Sequence, residues 1–218
     1  MKAVIAVGTG RYADPWHPYP AIADELATLL AEAGFEVTTE HDVDAAMAQL
    51  AGVDLLVVDA GDPWRDNDGA SAPGGLDRGA LLRATERGTG VLALHSAASS
   101  LRDYDGWFEL LGGEWVPGIS WHPPYGRVDV HTADVPGWED LRDFAIDDEA
   151  YTDLRILDGD TVLAWHDRDG VHHPLVWLRE TNGCRVAYDA LGHDERSYAP
   201  GAHRELVAAL ARWAGRAE

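Results

Sequence analysis

One cysteine and one lysine in 218 residues remove several explanations at the outset. Cys184 alone cannot form an internal disulfide, nor a cysteine metal cluster within one chain. Lys2 is the single lysine, so nearly all positive charge is arginine, a pattern that reads as genome base composition more than mechanism. Basic residues are scarce overall: 17 against 38 acidic, for a formal net charge of -21. A field of that sign repels phosphate backbones and anionic headgroups, which argues against nucleic-acid and membrane-surface partners. The plain reading of the charge is solubility. No apolar run approaches the roughly 20 residues of a membrane helix, and the apolar run in Met1–Gly8 is too short for a secretory leader. Cytoplasmic is therefore the expected location. Linkers, low-complexity runs and internal repeats are also missing, so residues 1–218 read as one domain. What is present, 46% hydrophobic residues and nine tryptophans, describes a packed globular protein rather than a disordered one.

The first half alternates strand and helix patterns. Ala3–Val7 is a short apolar run ending in Gly8-Thr9-Gly10, as for a buried strand entering a loop. The loop 11–20 is dense in aromatic rings, with Tyr12, Trp16, His17 and Tyr19. A helix is expected from Ala21 to Ala33, stopped by Gly34. A strand from Phe35 to Glu40, a short helix from Asp42 to Leu50 and a strand from Asp54 to Asp59 follow. Ala60–Gly75 is a long Gly/Asp/Pro-rich loop. Asp77 is expected to cap a helix reaching Arg87, and the strand ending at His95 comes next. Alternation at this spacing implies a parallel, doubly wound α/β sheet. After His95 the pattern shifts to antiparallel strands, with hairpin turns at Asp167-Arg168-Asp169-Gly170 and Thr181-Asn182-Gly183. A strand from Arg185 to Asp189 and a helix from Ala202 to Arg216 close the chain.

Chemistry in such a sheet collects at the carboxyl ends of strands. His95 and His193 each stand just beyond an expected core strand, so neighbouring parallel strands would bring both imidazoles to one crevice. Imidazole suits acid/base work near neutrality or metal ligation, and each ring could equally be a hydrogen-bonded structural histidine. Glu149, in Asp147-Asp148-Glu149, offers a carboxylate; extended neighbours point to opposite faces, so only alternate members of that triplet should share a site. A solvated acidic loop is the competing reading. His122 lies between Trp121 and two prolines, a rigid setting that could aim it into a pocket; of His172 and His173, one ring should point in and one out. Trp16, Tyr19, Trp121, Tyr151 and Trp177 could give a sugar ring an apolar platform. Trp107 and Trp213 read as core packing. Gly8-Thr9-Gly10 lacks a third glycine or a phosphate-loop lysine, and Ser96 lacks the Gly-x-Ser-x-Gly elbow of a serine hydrolase.

In order along the chain, Gly90–Ala97, Leu110-Leu111-Gly112-Gly113, His122-Pro123-Pro124, Asp148-Glu149-Ala150-Tyr151, His173-Pro174-Leu175-Val176-Trp177 and Ala190-Leu191-Gly192-His193-Asp194 resemble the ThuA-like, trehalose utilisation family. The resemblance implies a three-layer flavodoxin-like fold of the class I glutamine amidotransferase type, and a link to disaccharide or keto-sugar metabolism. Amidotransferases carry a nucleophilic cysteine at the elbow after the equivalent strand; here Leu94, His95 and Ser96 fill that region, so cysteine-dependent amide chemistry is not expected.

The leading expectation is a sugar-active enzyme. His95, His193, Glu149 and His122 would supply acid/base catalysis, or His95 and His193 would ligate a divalent metal such as zinc. His17, Trp16, Trp121, Tyr151, His173, Trp177 and Asp194 would contact substrate. The alternative is a non-catalytic sugar- or protein-binding module, and a Ser96 hydrolase ranks last. A homodimer is the default oligomer. The shared site requires the His95 and His193 imidazoles to lie within roughly 10 Å.

Overall fold

Strands built only of apolar residues need cover on both faces, and the parallel half of the sheet provides it. The computed structural model describes residues 1–65, 74–199 and 201–217. Much of the long loop expected from Ala60 to Gly75, namely residues 66–73, lies outside the described residues. The chain runs β1 (Lys2–Val7), α1 (Tyr19–Glu32), β2 (Glu36–Glu40), α2 (Val43–Ala48), β3 (Leu55–Asp59), α3 (Ala80–Glu86), β4 (Gly90–Leu94) and α4 (Trp107–Leu111). It continues through β5 (Gly113–Glu114), β6 (Gly126–Thr132), β7 (Phe144–Asp148), β8 (Arg155–Ile156), β9 (Thr161–Arg168), β10 (Val171–Thr181), β11 (Cys184–Asp189) and α5 (Gly201–Gly215).

Among the described residues, nine strands form one sheet in the order β2-β1-β3-β4-β11-β10-β9-β6-β7. The first five are mutually parallel, and β10, β9, β6 and β7 add antiparallel pairings. The parallel part has the flavodoxin-like order 2-1-3-4-5 with β11 as its fifth strand, and right-handed crossovers place helices on both faces. β3 and β4 are buried at every position. Gly90 opens β4 because a Cβ there would overlap the Ala214 carbonyl of α5. β4 and β11 are neighbours, with Asp189 opposite Leu94, so the residues following both strands leave the sheet side by side.

Both hairpins form as the turn chemistry requires. Asp169-Gly170 and Asn182-Gly183 all take positive φ, the type I′ geometry whose twist matches the flanking strands. Three helices are shorter than their sequence pattern. α3 begins at Ala80 because the Asp77 carboxylate pairs with Arg83 instead of capping the helix, leaving 76–79 as a turn. α2 ends at Ala48 rather than Leu50, and α4 begins only at Trp107, after Gly106, which is left-handed (φ 72°). No helix among the described residues is long and apolar enough to cross a membrane.

Candidate functional site

The site stands at the carboxyl edge of the parallel strands, and its centre is a strained residue. His95 follows β4 directly with φ 42°, a left-handed conformation that non-glycine residues seldom adopt. Its surroundings hold it there. Tyr188 donates its hydroxyl to the His95 carbonyl at 2.7 Å, and His95 Nδ1 lies 2.7 Å from the Ala190 carbonyl. A carbonyl only accepts, so Nδ1 carries the ring proton and Nε2 presents a lone pair. That Nε2 is buried with no hydrogen-bond partner.

Three other side chains close around it. Glu149 Oε2 lies 3.4 Å from His95 Nε2 and 3.4 Å from His193 Nδ1. The His95 and His193 ring centroids are 5.7 Å apart, inside the distance a shared site requires. His17, from the aromatic loop after β1, packs edge-on against both, at 5.0 Å from His95 and 4.9 Å from His193. Its Nδ1 is 2.7 Å from the Asp14 carboxylate, which fixes the proton on that nitrogen and leaves Nε2 as a second buried, unpartnered lone pair. Asp14 is itself held by Tyr19, whose hydroxyl donates at 2.6 Å and also contacts Ser96 Oγ at 3.0 Å. The ligand atoms of His17, His95, Glu149 and His193 all lie within 4.8 Å of one another.

Electrostatics follow from this crowding. Burial pushes the His17 pKa down, the neighbouring His95 and His193 rings push the same way, and the Asp14 carboxylate only partly opposes them, which favours the neutral ring. The hydrogen bond to Glu149 raises the pKa of His193 despite burial. Burial alone would raise Glu149, but the His193 and His95 contacts override it and hold the carboxyl far below the usual range. Once the His193 proton facing Glu149 is displaced, the cluster offers three imidazole nitrogens and one ionised oxygen, a donor set that suits zinc or a similar borderline divalent cation.

Asp148 acts from beside Glu149. β7 ends at Asp148, so the alternation expected for Asp147-Asp148-Glu149 does not continue past it, and both neighbouring carboxylates serve the site. Asp148 is 1% exposed and accepts the backbone N–H groups of Glu149, Gly192 and His193 at 2.7, 2.9 and 3.2 Å. It thus ties the two segments that carry Glu149 and His193.

A cleft of about 410 Å³ opens beside the cluster, lined by His17, Glu149, Tyr151, Trp115, His122 and Trp16, with Asp62, Arg65 and Ser99 on its polar wall. Tyr151 stacks over His95 at 4.3 Å, and Trp115 meets Tyr151 edge-on at 4.7 Å. His122 is partly exposed, with Nδ1 3.5 Å from Glu149 Oε1. Trp16 is 61% exposed at the rim.

Other expected contacts fall elsewhere. Trp177 lies where β10 is buried on both faces, is itself fully buried, and donates its indole N–H to the Leu111 carbonyl, so it is core. Trp121 bridges to Thr152, bonds Asp153 and lies under Arg168, outside the cleft lining. Of the histidine pair, His172 is exposed and His173 buried as alternation requires. His173 nevertheless stacks on His166 at 5.1 Å and accepts the Asp153 N–H, supporting the 151–153 segment rather than lining the cleft. Asp194 caps the turn Glu195–Tyr198 and pairs with Arg196, on a second opening shared with His193. Tyr19 is buried behind Asp14 and offers no platform. Ser96 donates to the Ala60 carbonyl and contacts Tyr19. Asp14, Trp115 and Asp148 are site residues the sequence did not single out.

The sheet order and the elbow after β4 define a class I glutamine amidotransferase-like fold in which histidine stands at the elbow. The chain belongs to the ThuA family: the family model, described as trehalose utilisation, matches residues 4–214. Similar solved structures include a ThuA-like protein from Parabacteroides merdae, at TM-score 0.77 and 18% identity over 98% of this chain and 89% of that one. A second, from Bacteroides uniformis, has TM-score 0.72 and 19% identity over 98% and 90%. PurLQS from Thermotoga maritima shares the fold at TM-score 0.57 and 16% identity over 96% of each chain. No curated protein sequence matches.

Proposed function

We propose that the protein is a sugar-active enzyme whose centre is a divalent cation, of the zinc type, held by His17, His95, Glu149 and His193. One observation carries the reading: Nε2 of His17 and Nε2 of His95, buried with no hydrogen-bond partner among the described residues, and His193 Nδ1 converge with the ionised Glu149 carboxylate within 4.8 Å. Uncompensated, such an arrangement is costly; a cation is what it fits. When bound, that cation would polarise a carbonyl oxygen or activate water.

The chain's own residues supply the rest. Asp14 and the Ala190 carbonyl fix the tautomers of His17 and His95. Tyr151 and Trp115 give a flat apolar wall for a sugar ring, and the Asp62 side gives polar contacts for its hydroxyls. His122, outside the four ligands but beside Glu149 and partly in water, is the group placed to take or return a proton at substrate. The family description, trehalose utilisation, supports a disaccharide substrate of the trehalose type.

Calorimetric titration of chelator-treated protein with zinc chloride tests the reading. One equivalent should bind, and His95→Ala and His193→Ala should abolish it. Wild-type protein that binds no divalent cation rules the proposal out. With disaccharides and their keto-oxidised forms as substrates, His122→Ala should cut turnover about 10²-fold or more while sugar binding persists. Sugar binding without turnover by the wild type would favour the non-catalytic module instead.

A further inference from the structure

At the end of β11 two charged side chains face each other with no access to water. Asp189 and His203 are both 0% exposed, and Asp189 Oδ2 lies 2.9 Å from His203 Nε2. The other ring nitrogen, Nδ1, lies 2.6 Å from the Ser197 carbonyl. Both partners of the imidazole are acceptors, so both nitrogens carry protons and the ring is a buried cation. Phe144 and Tyr198 rings enclose it at 6.3 and 5.4 Å. Stability alone is a poor reason for such a pair, since replacing a buried ion pair with packed apolar groups is often neutral or favourable.

Its position supplies a better reason. The second Asp189 oxygen accepts the Leu191 N–H at 2.9 Å, which fixes the turn leaving β11. Within that turn the Ala190 carbonyl receives His95 Nδ1–H, and the Ala190 N–H donates to the Leu175 carbonyl at 2.8 Å. Two residues beyond Leu191 stands His193. Gly192 between them takes φ 120°, and a Cβ there would overlap the Tyr198 hydroxyl, so the turn has one close-packed course.

We propose that Asp189 and His203 are positioning residues for the cation site. The buried pair locks the 190–193 turn so that His95 Nε2 and His193 Nδ1 are both presented as ligand atoms. This rests on the cation reading above. Neither residue contacts the cation; each acts through the backbone of the turn.

The test combines zinc affinity with the tautomer of His95. Zinc titration is compared among wild type, His203→Gln, Asp189→Asn, and Leu50→Ala, a buried change just before β3, at the sheet edge opposite the turn, that controls for destabilisation. Imidazole nitrogen resonances of the zinc-free proteins report which nitrogen of His95 is protonated. The expectation is a roughly 10–100-fold weaker zinc affinity in His203→Gln, together with mixed His95 tautomers. Leu50→Ala should lower the melting temperature with affinity unchanged. Asp189→Asn keeps an acceptor for Leu191 and the shape of the site, so it decides the question where His203→Gln fails to fold. Folded variants with wild-type zinc affinity and a single His95 tautomer overturn the proposal. Wild-type protein that binds no zinc sinks the functional reading instead, and the metal-free tautomer still decides the role of the pair.

Discussion

His95 carries two constraints that pull apart: its side chain is needed for ligation, and its backbone sits at φ 42°, where glycine is the natural occupant. His95→Gly should therefore be more stable than His95→Ala, by about 1 kcal/mol in urea unfolding, although neither retains the imidazole. Asp14 makes a complementary case. It lines the cleft and also fixes the His17 ring, so Asp14→Asn should weaken zinc binding by roughly tenfold or more in a calorimetric titration. The two differ in how far the sequence revealed them. His95 and His193 could be found because an apolar run that stops at a histidine marks a strand end, and Glu149 because it was a carboxylate beside a family motif. Asp14 could not, because nothing in the loop 11–20 says that a chain turn will bring residue 14 onto the ring of residue 17. Trp177 was misjudged for another reason: Leu175–Leu178 of β10 are buried on both faces, and that cover comes from neighbouring elements rather than from the strand's own spacing.

At the level of elements, β1, β3 and β4 were legible because each holds a continuous apolar run, and both hairpins because Asp-Gly and Asn-Gly dictate their turns. Helix starts were less so. Asp77 had the composition of a cap, but a nearby arginine competed for its carboxylate. The docking of α5 onto β11 was not legible at all, and it brings His203 to Asp189. Burial alone would lower the His203 pKa; the Asp189 charge and the Ser197 carbonyl reverse this and raise it. A raised histidine pKa contributes stability that is fully present below the ordinary value of about 6.5 and is lost as pH climbs through the folded-state value. Removing one partner of a buried pair costs about 3–5 kcal/mol. Denaturant unfolding should thus show His203→Gln less stable by that order at pH 6, with the gap to wild type narrowing at alkaline pH. A gap independent of pH would show that His203 is not a cation in the folded protein.

For the molecule as a whole, the net charge of -21 is a source of self-repulsion that dissolved salt screens. Raising sodium chloride from about 50 to 500 mM, which shortens the screening length from over 10 Å to under 5 Å, should raise the melting temperature measured by calorimetry. Zinc should do so independently: at a thousandfold excess over its dissociation constant, binding to the folded state alone adds about 4 kcal/mol, and acidification should erode that gain as protons reclaim the imidazoles. The order of strands has a consequence in time as well. β11, the last strand of the chain, lies between β4 and β10 in the middle of the sheet, and it leads into the segment carrying His193. The parallel and antiparallel halves therefore join only through a segment made late, by pairing residues about a hundred positions apart, such as Val186 with Val91. Such long-range closure is slow. A chain emerging from the ribosome would carry its first four strands with an open hydrophobic edge at β4 until β11 arrives, which marks that interval as the period when the nascent protein is most exposed to aggregation.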